Sequence, residues 1–122
     1  MISPYAFPGI KHYRHKKLDD VKFNKCKVTP EMVLEVVSKN CGVTVDDILS
    51  QVRSRTFVDA RHYFCAVLRK QLDYPVTAIG KLMNRDHTTV VHATQKFYDR
   101  CETDENYKRV YDSIIFDIWI RI

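Results

Sequence analysis

Glycine is scarce in this 122-residue chain: Gly9, Gly42 and Gly80 are the only three, 33 and 38 positions apart. No G-x-x-x-x-G-K-[ST] phosphate loop, G-x-G-x-x-G dinucleotide turn or G-x-S-x-G nucleophile elbow can be built on that spacing. Nucleotide-driven chemistry is nearly excluded, and no nucleotide is expected as a ligand. Long apolar runs are missing too. None approaches the ~20 residues of a membrane span, and Met1 to Gly9 has no positive segment leading into an apolar stretch. The expected location is the cytoplasm, with no membrane contact. Cys26, Cys41, Cys65 and Cys101 lie 15, 24 and 36 residues apart without a C-x-x-C pair, so no zinc site is expected. Reduced, mostly buried thiols are the expectation for an untargeted chain. No metal or other cofactor is expected. No nucleophile, base and orienter can be named together, so the chain is not expected to be an enzyme.

What is present is the material for one core. With 45% hydrophobic and 29% charged residues, the composition is that of a soluble globular chain, and a second core of ordinary size would not fit this length. The net charge of +5 is unevenly spread. Residues 1–30 carry seven Lys or Arg against two Asp, and residues 53–100 carry nine against four. Residues 31–52 and 101–122 are net acidic. Two basic blocks suit a polyanionic partner, because each cation placed on a phosphate releases condensed counterions; a solvated basic face would look the same in sequence.

Residues 1–28 hold Pro4, Pro8 and Gly9 and then a Lys/His/Tyr-rich stretch without an apolar period. They read as a basic N-terminal arm, either a solubilising tail or a nonspecific DNA arm, with Tyr5, Phe7 and Ile10 as an alternative docking patch. Residues 29–122 read as a helical domain. Thr29 caps a first helix with Pro30 in its first position, the stripe Met32, Val33, Val36 and Val37 follows, and Gly42 is the left-handed stop. Thr44 and Asp47 open a short second helix to about Ser50. Gln51 to Thr56 is a loop bearing Arg53 and Arg55. A third helix runs from about Phe57 to Leu72 on Ala60, Phe64, Val67, Leu68 and Leu72. A fourth, about Val76 to Met83, buries Val76, Ile79 and Leu82, with Gly80 placed for close approach of a neighbour. Asn84 and Arg85 form a tight turn, and Asp86 caps a fifth helix to about Arg100, packed through Val90, Ala93, Phe97 and Cys101. Thr103 opens a sixth, about 104–121, with the stripe Tyr107, Val110, Tyr111, Ile114 and Ile118. No strand pair with hairpin chemistry is present, so the fold class is all-α.

Two short helices joined by a turn, about 76–100, have the form of a helix-turn-helix. The second helix of such a unit lies in the major groove and reads bases with its N-terminal residues. Arg85 offers a bidentate donor, Asp86 an acceptor for a cytosine amino group, and His87 an imidazole. Thr88 and Thr89 add hydroxyls and methyls. His92 falls five residues after His87, off the i, i+4 spacing of a helical metal pair, and reads as a packed or surface imidazole.

The run Arg85-Asp86-His87-Thr88-Thr89-Val90-Val91-His92-Ala93, preceded by Ala78-Ile79-Gly80 and by Ala60-Arg61, resembles the C-terminal DNA-binding domain of the bacterial replication initiator DnaA. The resemblance covers about Thr29 to Cys101, some 73 residues. It implies a helical fold related to the Trp repressor and binding to a short asymmetric duplex box at replication origins. By position it implies that Asp86, His87 and Thr88 touch base edges; Arg85 is expected to join them on its own chemistry, as a bidentate donor. Arg53 would enter the adjacent minor groove, while Arg55, Arg61, Arg69, Thr77 and Thr89 would hold the DNA backbone. Arg61 could equally be a structural ion-pair partner. Asn84 alone stands where the family usually has a Gly-Gly pair, Thr77 replaces a proline, and Pro75 occupies a position usually held by a capping Ser. The expected protein is a freestanding, nucleoid-associated reader of initiator-type boxes, without the ATPase module, that regulates replication initiation or transcription. The rival is a protein-interaction adaptor of the replication machinery. Ile115, Trp119 and Ile122 make the end of the last helix apolar nearly all round. That face either packs against the N-terminal aromatics or serves a homodimer or a replication-protein partner.

Overall fold

A computed structural model describes residues 22–122, and within them there are six α-helices and no strand. Most of the N-terminal arm, including Tyr5, Phe7 and Ile10, lies outside the described residues. Helix α1 spans Pro30–Cys41. The Thr29 hydroxyl accepts from the Met32 N–H at 3.3 Å, and Gly42 ends the helix at φ 70°. Helix α2 spans Val45–Leu49 with a reciprocal capping box. Asp47 N–H donates to Thr44 Oγ1 at 3.1 Å and Thr44 N–H to the Asp47 carboxylate at 3.2 Å. Removing one half of that exchange, Thr44→Ala, is expected to cost about 1 kcal/mol. The loss should appear as a lower urea midpoint at unchanged slope.

Helix α3 spans Arg55–Ala66 and widens into a π-helical turn over Val67–Gln71. It starts two residues before the expected Phe57, because the Ser54 carbonyl already accepts the first helical bond, from Val58 N–H at 2.9 Å. Arg55 therefore sits on the first helical turn instead of in the loop. The wide turn carries Gln71, fully buried, to the Tyr111 hydroxyl, which donates to its side-chain oxygen. The Gln71 carbonyl accepts from Phe23 N–H at 2.8 Å. Phe23 and Val28 are both buried, so the last residues of the expected arm are part of the helical body.

Helices α4, Val76–Met83, and α5, His87–Thr103, follow, and α6 closes the chain over Glu105–Arg121. Three expectations need correcting here. Leu82 is 42% exposed, and Met83, one turn after Ile79, takes the buried place. Asp104, not Thr103, caps α6: its carboxylate accepts from Tyr107 N–H at 3.1 Å, whereas the Thr103 hydroxyl donates back to the Asp99 carbonyl and ends α5. Ile115 is fully buried and does not join Trp119 and Ile122 on a surface, because α6 packs on both α1 and α5 and so has two covered faces. Trp119, Ile120 and Ile122 remain exposed.

Helix α3 is the spine, packed against α1, α2 and α5. Its Phe64, Val67 and Leu68 are wholly buried, and Tyr63 stacks on Tyr107 with ring centroids 4.5 Å apart. Arg100 of α5 pairs with Asp59 of α3 at 2.6 Å and lies 4.0 Å over the Tyr107 ring, fastening α5 to its neighbours on either side. The α4–α5 unit is thus held from below by α3 and α6. No helix among the described residues is long and apolar enough to cross a membrane.

Candidate nucleic-acid interface

The turn between α4 and α5 is made by one left-handed residue and one close contact. Asn84 adopts φ 54° and ψ 48°, which asparagine tolerates better than most side chains. Arg85 N–H then donates to the Gly80 carbonyl at 2.8 Å. A Cβ on Gly80 would lie 2.6 Å from the Arg85 carbonyl oxygen, so the turn folds back onto bare helix backbone. Asp86 has extended geometry, and its carboxylate caps α5 at the Thr88 N–H, 3.5 Å away. Val90, Ala93 and Phe97 bury the underside of α5. The opposite side of its first turns, His87, Thr88, Thr89, Val91 and His92, faces out.

Asp86 and His87 form a pair at the tip. Their side chains are 68% and 57% exposed, and Asp86 Oδ1 lies 2.9 Å from His87 Nδ1. With Nδ1 turned to the carboxylate, Nε2 is the nitrogen left for an outside partner. Thr77 is exposed on the first turn of α4, whose cap, Pro75, supplies no side-chain acceptor. The leading N–H groups of α4 are therefore open to an anion. Arg53, in the α2–α3 loop, and Arg55 are exposed. Arg69 is exposed as well, with one guanidinium N–H on the Tyr74 carbonyl at 3.2 Å.

Two of the expected contacts are used inside the protein. Arg61 is only 6% exposed, and its guanidinium donates to the carbonyls of Ile48 (2.7 Å), Asp47 (3.0 Å) and Ser50 (2.7 Å) and to the Ser50 hydroxyl (3.2 Å). These carbonyls lie at the end of α2, where helical N–H partners run out, so Arg61 serves as a strut within the protein. Arg85 turns the same way. It donates to the Met83 carbonyl at 3.0 Å and to the Ser50 carbonyl, so its guanidinium is engaged within the protein on the edge of the groove described next.

A groove of about 490 Å³ runs between α5 and the α2–α3 loop, and it brings Arg53 onto one wall with Asp86 and Thr89. His87, Thr88, Arg55, Arg69 and Thr77 lie outside its lining. Gln51, His62, His92 and Lys96 line it and carry no role in the sequence reading. Thr89, His92 and Lys96 follow each other at steps of three and four, a stripe visible in sequence; His62 had no such signal. Burial lowers the pKa of His62, and its Nδ1 is buried with no hydrogen-bond partner among the described residues. Burial likewise pushes the Cys41 thiol up to about 11 and Cys65 to about 12, so neither is a ready thiolate at neutral pH.

Against this geometry, residues 30–97 match the family model described as the bacterial dnaA protein helix-turn-helix, which covers more than half of the chain. The chain belongs to that family. A chromosomal replication initiator protein DnaA from Ureaplasma parvum serovar 3 is 37% identical over 83 residues, which are 67% of this chain and 18% of that protein. The initiator from Lachnoclostridium phytofermentans is 34% identical over 93 residues, 75% of this chain and 20% of that one. The initiator from Leptospira biflexa is 27% identical over 103 residues, with shares of 81% and 23%. The chain thus spans about a fifth of the length of these curated relatives. The helix-turn-helix of the chain is α4–turn–α5, with Asn84 as the left-handed residue of the turn.

Proposed function

We propose that the chain binds double-stranded DNA sequence-specifically, at an initiator-type box, and acts in the cytoplasm on the nucleoid to regulate replication initiation or transcription. The observation that carries this reading is the exposed first turn of α5, where Asp86, His87 and Thr88 project beyond a tight turn while the underside of the same helix is buried. In this reading the turn enters the major groove. Asp86 accepts from a cytosine amino group, His87 Nε2 meets a second base edge, and Thr88 contacts a thymine methyl or a base acceptor. Arg53 enters the adjoining minor groove, across the space that separates it from Asp86 and Thr89. Arg55, Arg69, Thr77 and Thr89 hold phosphates and fix the register, as backbone contacts generally do.

Selection from a random duplex pool tests the reading. The retained sequences should converge on one short asymmetric motif; a pool that stays random at physiological salt would overturn specific recognition. Salt dependence checks the backbone assignments. Changing both Arg55 and Arg69 to Ala should lower the slope of log K against log salt by about 1.8, at ~0.9 for each phosphate no longer neutralised. A slope equal to that of the unaltered protein would remove both residues from the interface. The adaptor reading rests on the exposed Trp119, Ile120 and Ile122, a surface suited to a second copy or to a replication protein. Duplex binding absent even at low salt, together with a stable protein complex, would favour it.

A further inference from the structure

Ser50 stands at an unusual junction. Its carbonyl belongs to the C-cap residue just after α2 and accepts from two guanidinium groups, one from Arg61 on α3 and one from Arg85 in the turn before α5, 11 and 35 residues away. Its hydroxyl donates to the Asp47 carbonyl at 2.7 Å and accepts from Val52 N–H at 3.3 Å. Val52 is the residue before Arg53. Two cations on one acceptor repel each other, and burial together with the neighbouring Arg85 charge lowers the Arg61 pKa. The arrangement is tolerated because the orphan carbonyls of a helix end supply partial negative charge. Arg61 alone already satisfies that end, with four donations. Arg85 adds a tie between separate elements: one N–H on Met83, the last residue of α4, and one on Ser50, where the Arg53 loop begins.

We propose that Arg85 is a positioning residue that holds the Arg53 loop in register with the recognition helix, so that the minor-groove and major-groove contacts meet a duplex at one fixed separation. The proposal rests on the DNA-binding reading above. It departs from the expectation, drawn from the bidentate chemistry of the side chain at this position, that Arg85 touches bases, and it makes the turn a spacer between two readers.

Two measurements on the full chain test it. In the free protein, Arg85→Ala should speed amide hydrogen exchange at Val52 by about fivefold while the core of α3 keeps its protection. In duplex binding, using the sequence selected by the unaltered protein, Arg85→Ala should weaken affinity about tenfold. In an Arg53→Ala background the same change should cost no more than about twofold, since an anchor has nothing left to place. Arg85→Lys keeps the charge and loses the fork, so it should behave like Arg85→Ala; it also serves if the alanine variant does not fold. Full recovery by lysine, or equal losses in both backgrounds, would mark Arg85 as a direct DNA contact and overturn the proposal. Unchanged exchange at Val52 in a protein that binds its duplex would sink the anchor alone. A wild-type chain that binds no duplex would remove the DNA reading, and the positioning role with it.

Discussion

Gly80→Ala is expected to destabilise the protein by about 1–2 kcal/mol and to weaken duplex binding by more than that loss alone explains. Two effects oppose each other. Alanine inside a helix is favoured over glycine by about 1 kcal/mol, so at an open site the change would stabilise α4. Here the new Cβ would lie 2.6 Å from the Arg85 carbonyl oxygen and 3.4 Å from the His87 nitrogen. Both are backbone atoms, which cannot rotate away as a side-chain tip can, and overpacking of this kind costs ~1–3 kcal/mol. The clash should therefore win. Relief can come only from moving the turn off α4, which shifts the end of α5 that is proposed to read bases. Urea denaturation would show a lower midpoint at constant slope, and duplex titration a loss of affinity under conditions where the variant is fully folded. A variant as stable as wild type, with unaltered affinity, would show that the turn yields freely and that the close approach has no function.

How much of this was legible in the sequence follows from the range of each signal. The ends of α1 and α2 were readable because Thr29, Pro30, Gly42, Thr44 and Asp47 act on N–H and carbonyl groups within about one helical turn. The bounds of α4 and the Asp86 cap were readable for the same reason. Asn84 supplies the left-handed residue of the turn. The misreadings lie where distant elements decide. Ile115 looks like surface until two neighbours are seen to cover α6. Arg85 looks like a base ligand, and Arg61 stays open between a phosphate ligand and a structural partner, because nothing local shows that Ser50, far off in sequence, collects both. The π-helical turn at Val67–Gln71 answers to Phe23 and Tyr111 and has no local mark. Of the candidate interface, the exposed residues were legible because a cap and a buried underside determine which side of α5 faces out. Those that had turned inward were not.

Substitutions at the tip of α5 should change which sequence is bound. Replacing His87 by Ala is expected to relax discrimination at one base pair by ~1–3 kcal/mol, with only a small change in stability, because His87 is 57% exposed on a helix surface. Asp86→Ala should relax discrimination by a similar amount and, in addition, cost about 1 kcal/mol of stability, since the same carboxylate caps α5. Asp86→Asn separates the two effects: the amide oxygen can still cap the helix, but the acceptor-only character of the carboxylate is gone. It should fold like wild type and still read its base poorly. The double variant should lose less than the sum of the single changes, because Asp86 holds the His87 ring at 2.9 Å and so sets which nitrogen faces outward. Phosphate contacts behave differently: Arg55→Ala should weaken all duplexes alike and leave their ranking intact. Binding competitions across single base-pair changes distinguish the two patterns. If Asp86→Asn and His87→Ala both kept the wild-type ranking, α5 would not be the reading helix, and the exposure of its first turn would need another use.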